Sequence, residues 1–230
     1  TAQAHTLTFD AVTGTSDSVT LSVGNVTGGA DLTLAGVETV SLAFSGSTNN
    51  LDVVAAAATS LTLSGSSDVT VGNLNTATST SLKTIDGSTL TGALTLTTGS
   101  MSQIGSAALN VTTGSGADVI DVSGHTAGNL VVSLGAGNDK VTIALDATDT
   151  LTGGVGTDTL ATTSAVAAVT SVSGFETLQA NGAIAQDMDN LTGNLIATVT
   201  SNVAGNNTVT ITDIGSDFAT LKLNADSLNA

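Results

Sequence analysis

Apolar residues fall at every second position in short bursts along the chain: Val19-Thr-Leu21, Leu32-Thr-Leu34, Leu51-Asp-Val53, Leu61-Thr-Leu63, Val69-Thr-Val71, Leu94-Thr-Leu96 and Leu109-Asn-Val111. Residues 119–122, 130–134 and 141–145 continue the series. A period of two is the mark of a β-strand with one face turned inward, and here Thr, Asn or Asp takes the solvent side. Gly, Ser, Asn and Asp fill the gaps and supply turns. The bursts recur roughly every 8 to 15 residues, a spacing that a β-sandwich also produces.

Composition separates the two architectures. Of 230 residues, 40% are hydrophobic, yet there are four Phe and no Trp or Tyr. Large globular cores draw much of their buried area from aromatics. A core of Val, Leu, Ile and Ala suits a thin column of many similar layers. Proline is absent, so no strand loses a ladder donor to it. The low complexity and the likeness of one strand to the next favour stacked repeats. The predicted fold is all-β, a right-handed parallel β-solenoid (β-helix or β-roll) with about 20 residues and two short strands per coil. Residues 1–160 are expected to form the solenoid, and 161–230 its continuation or a small second β segment. The Ala-rich stretch at 161–169 reads as a short helix or a looser coil.

Charge narrows the partners. Nineteen acids face three bases, a formal net charge of −16, and the bases are Lys83, Lys140 and Lys222. Nucleic acid needs clustered Lys and Arg, and so does an anionic membrane surface. Neither is expected as a partner, and no apolar run is long enough for membrane insertion. A compact chain of this charge repels itself unless cations neutralise it. With no cysteine, disulfides and thiolate ligands are excluded, which leaves a hard metal ion as the available staple.

The middle of the chain supplies a pattern for such an ion. Gly114-Ser-Gly116-Ala-Asp118-Val-Ile120, Gly135-Ala-Gly137-Asn138-Asp139-Lys-Val141 and Gly153-Gly154-Val-Gly156-Thr-Asp158-Thr-Leu160 all fit G-x-G-x-D-x-apolar. The last carries the double glycine of the calcium-binding nonapeptide repeat. Calcium takes six or more hard oxygens, glycines let backbone carbonyls turn into a loop, and Asp adds a charged oxygen. With Asn129 and Asp149 between them, the series 118, 129, 139, 149, 158 advances by about half a coil per step. Asp118, Asp139 and Asp158 are therefore predicted to stack on one edge, with calcium between successive loops. The metal candidates are Gly114, Gly116, Asp118, Gly135, Gly137, Asn138, Asp139, Gly154, Gly156 and Asp158. Asn129 and Asp149 are weaker candidates on the opposite edge. The turns at 46–50 and 204–207 read as plain solenoid turns without metal.

These repeats resemble those of RTX-type proteins, whose glycine-aspartate motifs fold into calcium-bound parallel β-rolls. Gly36-Val-Glu38-Thr-Val40 and Gly174-Phe-Glu176-Thr-Leu178 share the phrase G-(V/F)-E-T-(V/L), and Leu82-Lys-Thr-Ile-Asp86-Gly-Ser-Thr-Leu-Thr-Gly92 accompanies them. Together they look like phrases of bacterial S-layer proteins exported by type I secretion. That resemblance implies a non-catalytic structural component of an extracellular surface lattice. It further implies self-association in two dimensions and attachment to cell-surface polysaccharide through a region outside this sequence. A repeat segment of a secreted RTX adhesin is the alternative from the binding class.

Catalytic chemistry is not expected. His5 and His125 stand without a Ser, Cys or acidic partner at a catalytic spacing and read as exposed turn residues. Glu38 and Glu176 could pair as glycosidase carboxylates do, but their matching context marks them as equivalent structural positions that cap turns. A β-helical lyase or epimerase would want an Arg or Lys base and aromatic sugar platforms, and the chain has no Arg. Met101 and Met188 read as core fillers. The opening residues carry no secretory signal and no initial Met, so the sequence reads as part of a longer protein.

Overall fold

The computed structural model describes residues 5–7, 14–74, 82–96, 108–125, 128–167, 171–191, 194, 196, 198–201, 208–214 and 220–223, with side chains outside the description at 5–7, 73, 201 and 221–223. The described residues form an all-β solenoid with about 21 residues per turn. Successive strands alternate between two parallel sheets. One has eleven strands, from His5–Leu7 to Thr220–Leu223, and the other has eight, from Ser18–Gly24 to Ser171–Ser173. Beyond Ser171–Ser173 a two-stranded sheet pairs Ala185–Asp187 with Thr210–Thr212, while the eleven-stranded sheet runs on through Thr177–Ala180, Thr198–Ser201 and Thr220–Leu223.

Register turns the period-two pattern into a core. On the larger sheet Leu51, Val71, Leu96, Ile120, Val141, Leu160, Leu178 and Val199 are ladder partners in one line, and all are buried. On the smaller sheet Val40, Leu61, Ile85, Val111, Val132, Leu151 and Val172 do the same. Each fully buried aliphatic side chain contributes about 1.5–3 kcal/mol, and the identical rungs let β-branched and Leu side chains stack without a large anchor. A one-residue slip would turn an entire line outward, so the alternation fixes the register as well as the strands. Outward positions of the smaller sheet carry hydroxyls in matching lines, such as Thr20, Ser41 and Thr62 in the early coils and Ser133, Thr152 and Ser173 in the late ones.

Several segments differ from the sequence reading. Gly46 has φ 86 and begins a tight bend, but Asn49 and Asn50 already belong to the strand Thr48–Val54. Asn49 is buried, and its Oδ1 accepts a bond from the Val26 N–H at 3.1 Å, which satisfies the preceding coil where an apolar residue could not. In the Ala-rich stretch, Ala161 and Thr162 complete the strand Thr159–Thr162. The Thr162 hydroxyl then turns the chain by bonding Ser164 O at 2.7 Å. The one helical element among the described residues is a 3-10 turn at Met188–Leu191. Met188 packs partly buried against the core. Met101, the 204–207 turn and residues 168–169 lie outside the described residues.

Candidate metal centre

Each glycine-aspartate motif crosses the edge of the solenoid just before a strand of the larger sheet: Val119–Asp121, Lys140–Ile143 and Thr159–Thr162. The ladder pairs Val119 with Lys140 and Lys140 with Thr159, so Asp118, Asp139 and Asp158 occupy one register position in three successive coils. The predicted stacking of these acids on one edge is the observed arrangement.

The three carboxylates form a chain of backbone contacts. Asp118 Oδ1 accepts from the Leu94 N–H at 2.7 Å, Asp139 Oδ1 from the Asp118 N–H at 2.7 Å, and Asp158 Oδ1 from the Asp139 N–H at 2.8 Å. The next coil continues the line with Glu176, whose Oε2 accepts from the Asp158 N–H at 2.8 Å. One oxygen of each acid thus closes the coil before it. The second does not: Oδ2 of Asp118, Asp139 and Asp158 is buried in every case and has no hydrogen-bond partner. The side chains themselves are 0%, 1% and 0% exposed. An unsatisfied buried acceptor costs about 1–3 kcal/mol, and more when it is charged. Three in one line is therefore a costly arrangement for the protein alone.

Electrostatics compounds the cost. Burial, followed by the like charges of Asp118 and Asp158, pushes the Asp139 carboxyl up to about 6 despite the opposing bond from the Asp118 N–H. Burial likewise raises Asp118 against the nearby donors of Thr113, Leu94 and Gly114, and burial raises Asp158 against the bond from the Asp139 N–H, with the charge of Glu176 adding to the rise. Unit charges about 5 Å apart repel by about 3 kcal/mol at an effective dielectric of about 20. A cation between coils would remove both penalties.

Glycine makes the edge narrow enough for such a site. A methyl on Gly137 would overlap the Gly116 carbonyl oxygen, and one on Gly156 the Gly137 carbonyl oxygen. Gly156 also has φ 150, which side-chain-bearing residues rarely adopt. Gly114, Gly135 and Gly154 form a parallel line in which each carbonyl lies against the next glycine. The Gly114 and Gly135 oxygens there accept from the N–H groups of Ala136 and Val155, both at 2.9 Å. Asn138 faces the following coil, its Oδ1 accepting from the Thr157 N–H at 2.9 Å. Among the described residues no three His, Cys, Asp or Glu side chains converge as a metal-binding group. Any ion here would complete its shell with backbone carbonyls and water, which suits a hard cation with a flexible coordination number such as calcium.

The opposite edge is different. Asn129 and Asp149 both precede strands of the smaller sheet, but the ladder aligns Asp149 with Leu130, so the two are one residue out of register. Asn129 is exposed. Both oxygens of Asp149 are occupied, Oδ1 by the Leu130 N–H at 3.1 Å and Oδ2 by the Asp146 N–H at 2.9 Å, so the buried carboxylate closes its own turn. His125, expected to be exposed, is 4% exposed on this edge. Its backbone N–H bonds Val122 O at 3.0 Å, which folds the turn back onto the core.

Glu176 was not among the sequence candidates for the column, although its phrase offered the signal. Glu38 and Glu176 do the same work on opposite edges. Glu38 Oε2 accepts from the Asp17 N–H at 2.8 Å, as Glu176 does from Asp158, and each Glu and the Thr after it donate their N–H groups back to that Asp carbonyl. Compared with protein-family models, curated proteins and solved structures, the chain matches none.

Proposed function

We propose that this chain is a structural component of a bacterial surface layer, stiffened by calcium and assembling outside the cell into a two-dimensional lattice. The observation that carries the reading is the line of Asp118, Asp139 and Asp158, each buried with one carboxylate oxygen unpartnered. Calcium supplies two positive charges and a demand for oxygen ligands in a gap bounded by carboxylates and glycine carbonyls. Asp118, Asp139 and Asp158 would hold it, with carbonyl oxygens from the glycine lines. Modules with weak sites load where calcium is at about 0.1–1 mM or above, which is the extracellular condition. Export as an RTX protein by type I secretion is consistent with that setting.

Uniform rungs support a scaffolding role. A parallel stack braced on one edge is a stiff rod, and stiffness is what a lattice asks of its units. The reading is non-catalytic. A cavity of about 340 Å³ beside Ser18–Gly24 is lined, among the described residues, by Leu21, Val23, Val26, Leu32 and Leu51, with Asp31 as the one ionisable group there. Such a cavity is poor in convergent polar groups.

Electron microscopy of the purified chain tests the assembly. Ordered sheets are expected in millimolar calcium, dispersing when a chelator is added. A protein that binds calcium yet stays monomeric at high concentration would contradict the lattice reading.

A further inference from the structure

The line of acids does not end with the glycine-aspartate repeats. Glu176 lies in the same register position one coil beyond Asp158, since Thr159 pairs with Thr177. The coil between them spans 18 residues, against 21 from Asp118 to Asp139 and 19 from Asp139 to Asp158. The extra methylene of Glu lets a carboxylate at this position reach the Asp158 N–H at 2.8 Å, the same contact that Asp makes in the earlier coils.

An independent observation points into the gap below Glu176. Asp158 is 0% exposed, and its Oδ2 has no partner. A Cβ built on Gly153 would lie 2.9 Å from that oxygen and would overlap the carbonyl oxygen of Gly174. Asp158 Oδ2 and Gly174 O therefore border the same small space, which only a glycine at 153 keeps open. The phrase Gly174-Phe-Glu176 thus brings one carbonyl and one carboxylate to the coil of the last repeat. Gly174, with φ 73, turns the backbone there in a conformation other residues adopt at a cost.

We propose that Gly174 and Glu176 close a third inter-coil calcium site over Gly153 and Asp158, outside the repeat motif. The ligand class is a hard divalent cation held by two carboxylates, a backbone carbonyl and water. The charge of Glu176 acts on Asp158 in addition to burial, which places the two acids within electrostatic reach of one ion. The phrase G-F-E-T then serves as a terminator of the ion column, one that continues the charge pattern after the glycine-aspartate repeats stop. The proposal rests on the calcium reading of the column.

Calcium titration by calorimetry of the full chain and of Glu176→Gln, at pH 7, separates the two ideas. Gln keeps an oxygen for the Asp158 N–H, so circular dichroism in chelator should match the parent. The variant is expected to bind one calcium ion fewer than the parent. Equal stoichiometry and affinity in parent and variant would overturn the third site alone. A parent that takes up no calcium would overturn the reading of the whole column. Should the variant not fold, the carboxyl carbon resonance of Glu176 in the isotopically labelled parent gives the same answer. Calcium shifts it if Glu176 is a ligand, and leaves it in place if it is not.

Discussion

Millimolar calcium is expected to raise the melting temperature of the chelated protein at pH 7 by about 10 °C. The size follows from linkage. A ligand that binds only the folded state stabilises by RT ln(1 + [L]/Kd), about 1.4–2.7 kcal/mol per site at 10 to 100 times the dissociation constant. With weak extracellular-type sites of about 0.1–1 mM, calcium at about 10 mM reaches that range. The three carboxylates bound two gaps, so with an ion in each the column would gain about 3–5 kcal/mol from those alone. In a chain of this length each kcal/mol moves the midpoint by about 2–4 °C. Differential scanning calorimetry with and without chelator measures the shift. Magnesium, which holds its water and demands octahedral geometry, is expected to give a much smaller one. A midpoint indifferent to calcium would count against the sites.

In chelator, the protein is expected to grow more stable as the pH falls from 7 toward 4, the reverse of ordinary acid denaturation. The sign follows from the direction of the shifts. The Asp139 carboxyl is held at about 6 in the fold, above its ordinary value, and Asp118, Asp149 and Asp158 are raised as well, chiefly by burial. A group whose folded pKa lies above its unfolded one adds stability that is complete below the unfolded value. That stability is lost as the pH rises through the folded value. For Asp139 alone the loss between pH 4 and pH 7 is about 2–3 kcal/mol, because each pKa unit corresponds to about 1.4 kcal/mol. Asp86 and Asp146 shift downward and oppose the trend, but both are held by local hydroxyl and backbone donors near the surface. Calcium is expected to reverse the profile, since protons would compete with the ion for the same carboxylates. Urea midpoints at pH 4.5 and 7, each with calcium and with chelator, test the crossing. Profiles of the same slope in both conditions would contradict it.

Much of the fold is written in the alternation of Val and Leu with Thr. In a solenoid the same residue position repeats in every coil, so a weak local signal is reinforced by register, as in the line from Leu51 to Val199. The signal fails where the inward position is polar. Ala185–Asp187 turns Gln186 inward, 0% exposed, and satisfies it through the Val166 N–H at 2.8 Å. No hydropathy pattern marks such a strand, because hydrogen bonding replaces apolar burial there. His125 misled for a related reason: a turn residue next to Gly looks exposed until the turn folds over the core.

The column was legible because its three acids keep phase with the coil. Asn129 and Asp149 keep nearly the same phase yet miss by one residue, and one residue is enough to separate an exposed amide from a buried carboxylate that closes its own turn. Glu176 escaped because the motif letters change and the coil shortens just where the column continues. The unpartnered Oδ2 atoms had no sequence signature at all. They arise from the way each Oδ1 is committed to the preceding coil.

Crystals grown in calcium, measured at a wavelength where calcium scatters anomalously, give the most direct test. Anomalous peaks are predicted in the gaps between the coils of Asp118, Asp139 and Asp158, each within bonding distance of an Oδ2 atom. Oδ2 atoms bonded instead to water or to a neighbouring protonated carboxyl, with no anomalous peak along that edge, would contradict the account.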